Sequence, residues 1–248
     1  MNTISVELVP RNHDGLIKDL QIVKKFQDVD EINIPDLISC PIRSWEAAKV
    51  ASEHYPHVIA HIRAIDIDPV NPELFFEKLR IFNLKKILVI SGDIPQTYGR
   101  QIYPTTALQV IKWCKEYLPG TFVYAAIDPY RSGMRDELSY AREKIDAGAD
   151  GFFTQPFFDL DLMNVWADAL TEQEIYWGIA PVTSIKSKEG YWETKNKVIF
   201  PRKWDLSLTS NQDFANEVIW WINSSPNWNV YLMPIKIDIG EYLSGIFR

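Results

Sequence analysis

The chain has 248 residues, 46% hydrophobic and 24% charged, which excludes a disordered polypeptide and allows one large core. A formal net charge of −7 excludes a general affinity for nucleic acid, which needs a basic face. The two cysteines, Cys40 and Cys114, are far apart with no CxxC or Cys/His spacing, so neither a zinc site nor a disulfide framework is expected.

Strand-like and helix-like segments alternate along the chain. Ile4 to Pro10 alternates apolar and polar residues and stops at proline, so it reads as a strand with Glu7 facing opposite to Val6 and Leu8. Asp14 then caps a helix to about Gln27. Glu31 to Pro35 is a second strand, and Ser44 caps a helix over Trp45 to His54. His57 to Ile62 is the third strand, and Asn71-Pro72 starts the next helix. Lys86 to Ile90 is a near-continuous apolar run, as in a strand buried on both faces.

The same alternation fills the second half. Thr105 opens a helix through Leu118, and Pro119-Gly120 stops it. Phe122–Ile127, Gly151–Gln155, Ile175–Ala180 and Asn229–Ile235 are the remaining strands. Helices are expected over Met134–Ala147, from the cap at Asp159, once or twice within 184–222, and over Ile239–Phe247. Eight β–α units in about 250 residues predict a closed (β/α)8 barrel. An open doubly wound sheet is the alternative, but its glycine-rich first turn is absent from Val9-Pro10-Arg11-Asn12. With no linker or repeat in view, residues 1–248 read as a single barrel domain. Glu7 and Arg11 break the first apolar residues, and no run approaches the roughly 20 needed to span a bilayer. A cytoplasmic protein with no membrane association is therefore expected.

A barrel of this kind works at the C-terminal ends of its strands. The polar residues assigned there are Glu7, Asn33, His57 and His61, Ser91-Gly92-Asp93, Asp128, Thr154-Gln155 and Thr183-Ser184. Each has an ordinary reading as a turn, cap or core residue. Glu7, Asp93 and Gln155 together, at three strand ends, would converge on one concave mouth. Two carboxylates without neighbouring histidine pairs make no metal site.

The run Lys144 to Asp159 resembles the K-V-D-A-G-A-x-x-x-x-T-Q-x-x-F-D segment of methylenetetrahydrofolate reductases. Ile4 to Pro10 resembles that family's S-F-E-F-x-P opening, and Ser91-Gly92-Asp93-Ile94-Pro95 its R-G-D-x-P. Pro56-His57 resembles its P-H-L-T strand, and Gly178 to Val182 its P-G-I-x-P-V. The matches fall in order along nearly the whole chain. The resemblance implies a (β/α)8 barrel that reduces 5,10-methylenetetrahydrofolate, or a related methylene-tetrahydropterin, with hydride from NADH or NADPH. It implies Glu7 as general acid, Asp93 as a catalytic and pterin-holding carboxylate, and Gln155 as a folate hydrogen-bonder. Phe157 or Trp177 would stack on the ring system. His57, Gly92, Ala125 and Lys144 fall where the family binds its cofactor.

The family usually relays hydride through FAD, and several positions that would hold it have changed. Ser91 replaces an arginine, Ile127 a tyrosine, and Tyr140 and Glu143 an asparagine and a basic residue. The threonine ending the second strand is also replaced, within Asn33-Ile34-Pro35. Flavin diphosphate needs such donors and charges. Either the flavin is dispensed with or its site is rewired. A non-catalytic folate-binding relative, a partner subunit of a reductase, and a tetrahydropterin methyltransferase or demethylase remain alternatives. Lys186, Lys188, Lys195, Lys197, Arg202 and Lys203 crowd the connection after the seventh strand. This reads either as a solvated face or as a dock for a folate glutamate tail or a dinucleotide phosphate.

Overall fold

The computed structural model describes residues 2–94 and 101–247. Its strands are β1 (Ile4–Glu7), β2 (Glu31–Ile34), β3 (His57–Arg63), β4 (Lys86–Ile90), β5 (Phe122–Ile127), β6 (Gly151–Thr154), β7 (Glu174–Ile179) and β8 (Trp228–Leu232). They pair in parallel in chain order, and β8 returns to β1 to close the barrel. The helices are α1 (His13–Val23), α2 (Ser44–Ala51), α3 (Pro72–Arg80), α4 (Ala107–Tyr117), α5 (Met134–Asp146), α6 (Leu160–Ala169), α7 (Leu208–Trp221) and α8 (Ile239–Ser244). Among the described residues, no helix is long and apolar enough to cross a membrane.

Local chemistry moved several boundaries. Asn12, not Asp14, caps α1, accepting from the Gly15 amide at 2.7 Å. Ser44 is the first residue of α2, and its hydroxyl donates instead to the His61 carbonyl. Thr106 caps α4 in a reciprocal pair with Gln109, while the Thr105 hydroxyl is used on the Ile67 carbonyl at 2.6 Å. Hydroxyls beside helix starts have several backbone partners in reach, and tertiary contacts decide among them. The connection after β7 contains a π-helix, Ser187–Lys195, that sequence periodicity did not separate from an α-helix.

Strand alternation splits the core in two. Val6, Ile32, Ile62, Val89, Ala125, Phe152, Trp177 and Leu232 face the helices. Ile59, Leu88, Tyr124, Phe153, Tyr176 and Tyr231 fill the barrel. Phe153 and Tyr176 stack across its axis at 4.0 Å. Below them lies a polar floor, where Lys86 Nζ is 2.5 Å from the fully buried Glu31, and Tyr124 and Asn229 donate to Glu174 at 3.2 Å. A filled middle and a charged floor leave the C-terminal mouth as the end where a ligand can enter.

Candidate active site

Glu7 is the last residue of β1, opposite Asn33 in register. Val6 and Leu8 point to the helices, so parity turns the Glu7 carboxyl into the mouth. Burial disfavours its charged form and lifts its pKa from 4.5 to about 7; a hydrogen bond from the Tyr231 hydroxyl opposes that rise. Tyr231 has its own pKa driven well up, by burial and then by the Glu7 charge, so it stands as a neutral donor.

The mouth holds a cavity of about 190 Å³. Glu7, Asp36, His61, Ala126, Gln155, Tyr191, Tyr231 and Met233 contribute to its wall. His61 Nε2 is hydrogen-bonded to the Asn33 side-chain oxygen, and burial pushes its pKa down to about 3, so the ring is neutral. Tyr191 comes from the π-helix, with Lys195 Nζ 5.5 Å and Lys236 Nζ 5.1 Å from its ring centre. A larger hollow of about 400 Å³ lies between α5 and α6, near the start of β7. It is far from the strand ends that carry Glu7 and Gln155, so the smaller cavity is the candidate site.

An ion network braces the rim. Arg43 reaches Asp36 at 3.0 Å and Asp66 at 2.7 Å, and Arg63 reaches Asp66 at 3.2 Å. Arg63 also donates to the Asp93 main-chain carbonyl at 2.7 Å, tying the loop after β4 to the end of β3. Among the described residues, no three His, Cys, Asp or Glu side chains converge to hold a metal ion.

The model of the methylenetetrahydrofolate reductase family matches residues 42–210. The chain belongs to that family. The 5,10-methylenetetrahydrofolate reductase of Escherichia coli (strain K12) is 24% identical over 141 residues, 55% of this chain and 48% of that protein. A probable methylenetetrahydrofolate reductase (NADPH) of Caenorhabditis elegans is 26% identical over 137 residues, 51% of this chain and 21% of that protein. The chain thus spans about half the length of the bacterial relative it matches. Among solved structures, an uncharacterized protein from Clostridium thermocellum that binds two copies of 5-methyl-5,6,7,8-tetrahydrofolic acid has the same fold. Its TM-score is 0.64 at 14% identity, covering 98% of this chain and 92% of that one.

Within this barrel the expected site residues divide. Glu7 and Gln155 share the cavity wall. Asp93 sits at the same end, but its carboxylate is 84% exposed on the rim, 3.7 Å from Lys195 Nζ. Gly92 has φ +91°, and a Cβ there would come within 3.0 Å of Ile65 and 3.2 Å of Arg63. Its lack of a side chain makes room for Arg63.

Five positions need correction. His57 opens β3 at the far end of the barrel, and His61 is the histidine at the mouth. Both have inward parity, but four residues of strand separate them by about 13 Å. Ala125 faces the helices, and Ala126 takes the place at the cavity. Phe157 is buried behind the barrel against Trp177, 5.6 Å between ring centres, so neither aromatic can stack on a ligand in the mouth. Lys144 is 3% exposed and donates to the Ala126 carbonyl at 2.6 Å, with Glu137 at 3.5 Å. Its ammonium supports the end of β5 from behind rather than reaching the cavity.

Sequence reasoning passed over Tyr231 and Tyr191. Tyr231 lies two residues beyond Asn229 with inward parity, which was a usable signal. Tyr191 carried none, because its place depends on how the π-helix crosses the mouth.

Proposed function

We propose that this chain reduces 5,10-methylenetetrahydrofolate, or a closely related methylene-tetrahydropterin, to the 5-methyl form with NADH or NADPH. The observation that carries this reading is a carboxyl in the mouth of a family barrel, with a pKa of about 7. Such a group is protonated often enough near neutrality to give a proton, yet acidic enough to release it. Glu7 donates to the bridge nitrogen that departs, and the methylene carbon becomes an iminium on the other nitrogen. Hydride from the dinucleotide adds to that carbon. One proton and one hydride are consumed, and Glu7 is reprotonated from water.

Gln155 offers an amide to the pterin edge, and Tyr191 offers the aromatic face first sought in Phe157 and Trp177. Asp93, from the rim, would meet the substrate's outer part or the cation as it forms. The Clostridium protein that binds 5-methyl-tetrahydrofolic acid shares this fold, which is compatible with a folate in the mouth.

The residues do not fit a flavin. Lys144 is committed to Ala126 and Glu137, and Ala125 and Ile127 face the helices. Ser91 cannot supply the missing cation. We therefore infer direct hydride transfer from dinucleotide to folate, in a cytoplasmic setting.

The test is a coupled measurement of NADH or NADPH oxidation and loss of methylenetetrahydrofolate by purified protein, with Glu7→Gln alongside. Turnover by a colourless protein, abolished in Glu7→Gln, is the expected result. Stoichiometric FAD absorbance would overturn direct transfer. Absence of turnover with either dinucleotide, flavin added or not, would overturn the reductase reading.

A further inference from the structure

We infer that Tyr231 is a positioning residue for the Glu7 acid: its hydroxyl orients the carboxyl in the mouth and steadies the carboxylate left after proton donation. This rests on the reading of Glu7 as the proton donor. The geometry is built by the closure of the barrel. β8 pairs with β1, Ser5 opposite Tyr231 and Val6 opposite Leu232, which brings the Tyr231 phenol beside the end of β1. The ring is 4% exposed and packs edge-on against Phe153 at 5.2 Å, and Phe153 is stacked on Tyr176. The phenol therefore has little rotational freedom, and its hydroxyl donates to Glu7 Oε2.

A hydrogen bond to a carboxylate is stronger than one to a neutral carboxyl. The Tyr231 hydroxyl thus holds the starting rotamer and gains strength as Glu7 loses its proton. In a buried mouth this is an electrostatic contribution that needs no rearrangement during the step. Other groups border the same carboxyl. Tyr191, His61 and Asp36 share the cavity, and Arg11, Lys18, Asp19 and Asp238 line a smaller hollow on the flank of Glu7. His61 is neutral, Asp36 is paired with Arg43, and Tyr191 has its pKa raised by burial first and then by Glu7 and Asp93. The four flanking groups are carried by or near α1 and the start of α8, and none of them donates a hydrogen bond to Glu7 in the described contacts.

The experiment is a titration of the Glu7 carboxyl by infrared difference spectroscopy without substrate, using Glu7→Gln to identify the band. It is run on the native protein and on Tyr231→Phe, together with kcat/KM against pH. Removal of the hydroxyl is expected to raise the carboxyl midpoint by about one unit and to lower kcat about tenfold, with less change in KM. An unmoved midpoint overturns the inference. Tyr231→Met, which fills similar space without a hydroxyl, gives the same reading should Tyr231→Phe fold poorly. Because the infrared midpoint needs no turnover, an inactive native protein would count against the proposed reaction and leave this test intact.

Discussion

A neutral carboxyl in the mouth should leave a mark on stability that needs no substrate. Glu7 has a pKa of about 7 in the folded chain against 4.5 for the free side chain. Folding therefore binds a proton between these values, and stability falls as pH rises through that window. The sign follows from the raised value: the contribution is fully present below the unfolded pKa and is lost by the time the folded pKa is passed. A rise of about 2.5 units corresponds to ~3 kcal/mol over the whole window, of which about 2 kcal/mol falls between about pH 5.5 and 8. Glu7→Gln keeps the shape and can still accept from Tyr231, but it does not titrate. Relative to the native chain it should gain about 2 kcal/mol of stability over that range. Urea unfolding followed by tryptophan fluorescence, with nine tryptophans as reporters, measures the difference at each pH. A difference between the two proteins that is flat with pH would refute the claim that Glu7 is held neutral, and with it the reason for choosing this residue as the acid.

Two further outcomes follow from other parts of the barrel. Lys86→Met removes the cation 2.5 Å from the fully buried Glu31, whose pKa is raised by burial and pulled back by Lys86. It should cost about 3 kcal/mol at neutral pH, recover as pH falls and Glu31 takes up a proton, and be largely relieved by Glu31→Gln in urea melts. On the rim, Lys195→Glu combined with Lys236→Glu removes the two cations beside Tyr191. The KM for folate or dinucleotide should rise several-fold with kcat little changed, and an unchanged KM for both would reduce the basic connection to a solvated face.

Composition and alternation by themselves determined the eight-unit barrel, the outward faces of Val6 and Leu8, and so the inward face of Glu7. Those are local properties: strand parity is set by neighbours, and turn residues such as Pro10 and Pro119-Gly120 mark where elements end. Gln155 was legible for the same reason, since it directly follows a strand whose register is unambiguous. Parity cannot say how far up the barrel a residue lies, so it gave His57 and His61 the same inward face although β3 carries them at opposite ends. In Phe122–Ile127, apolar at every position, the alternation has no readable phase, and Ala126 rather than Ala125 took the inner place. Lys144 and Phe157 depended on packing behind the strands, where a buried ammonium seeks a carbonyl and an aromatic ring seeks Trp177. The partner of Glu7 was decided last of all, because Tyr231 is 224 residues away in the chain and reaches the carboxyl only when the final strand closes on the first.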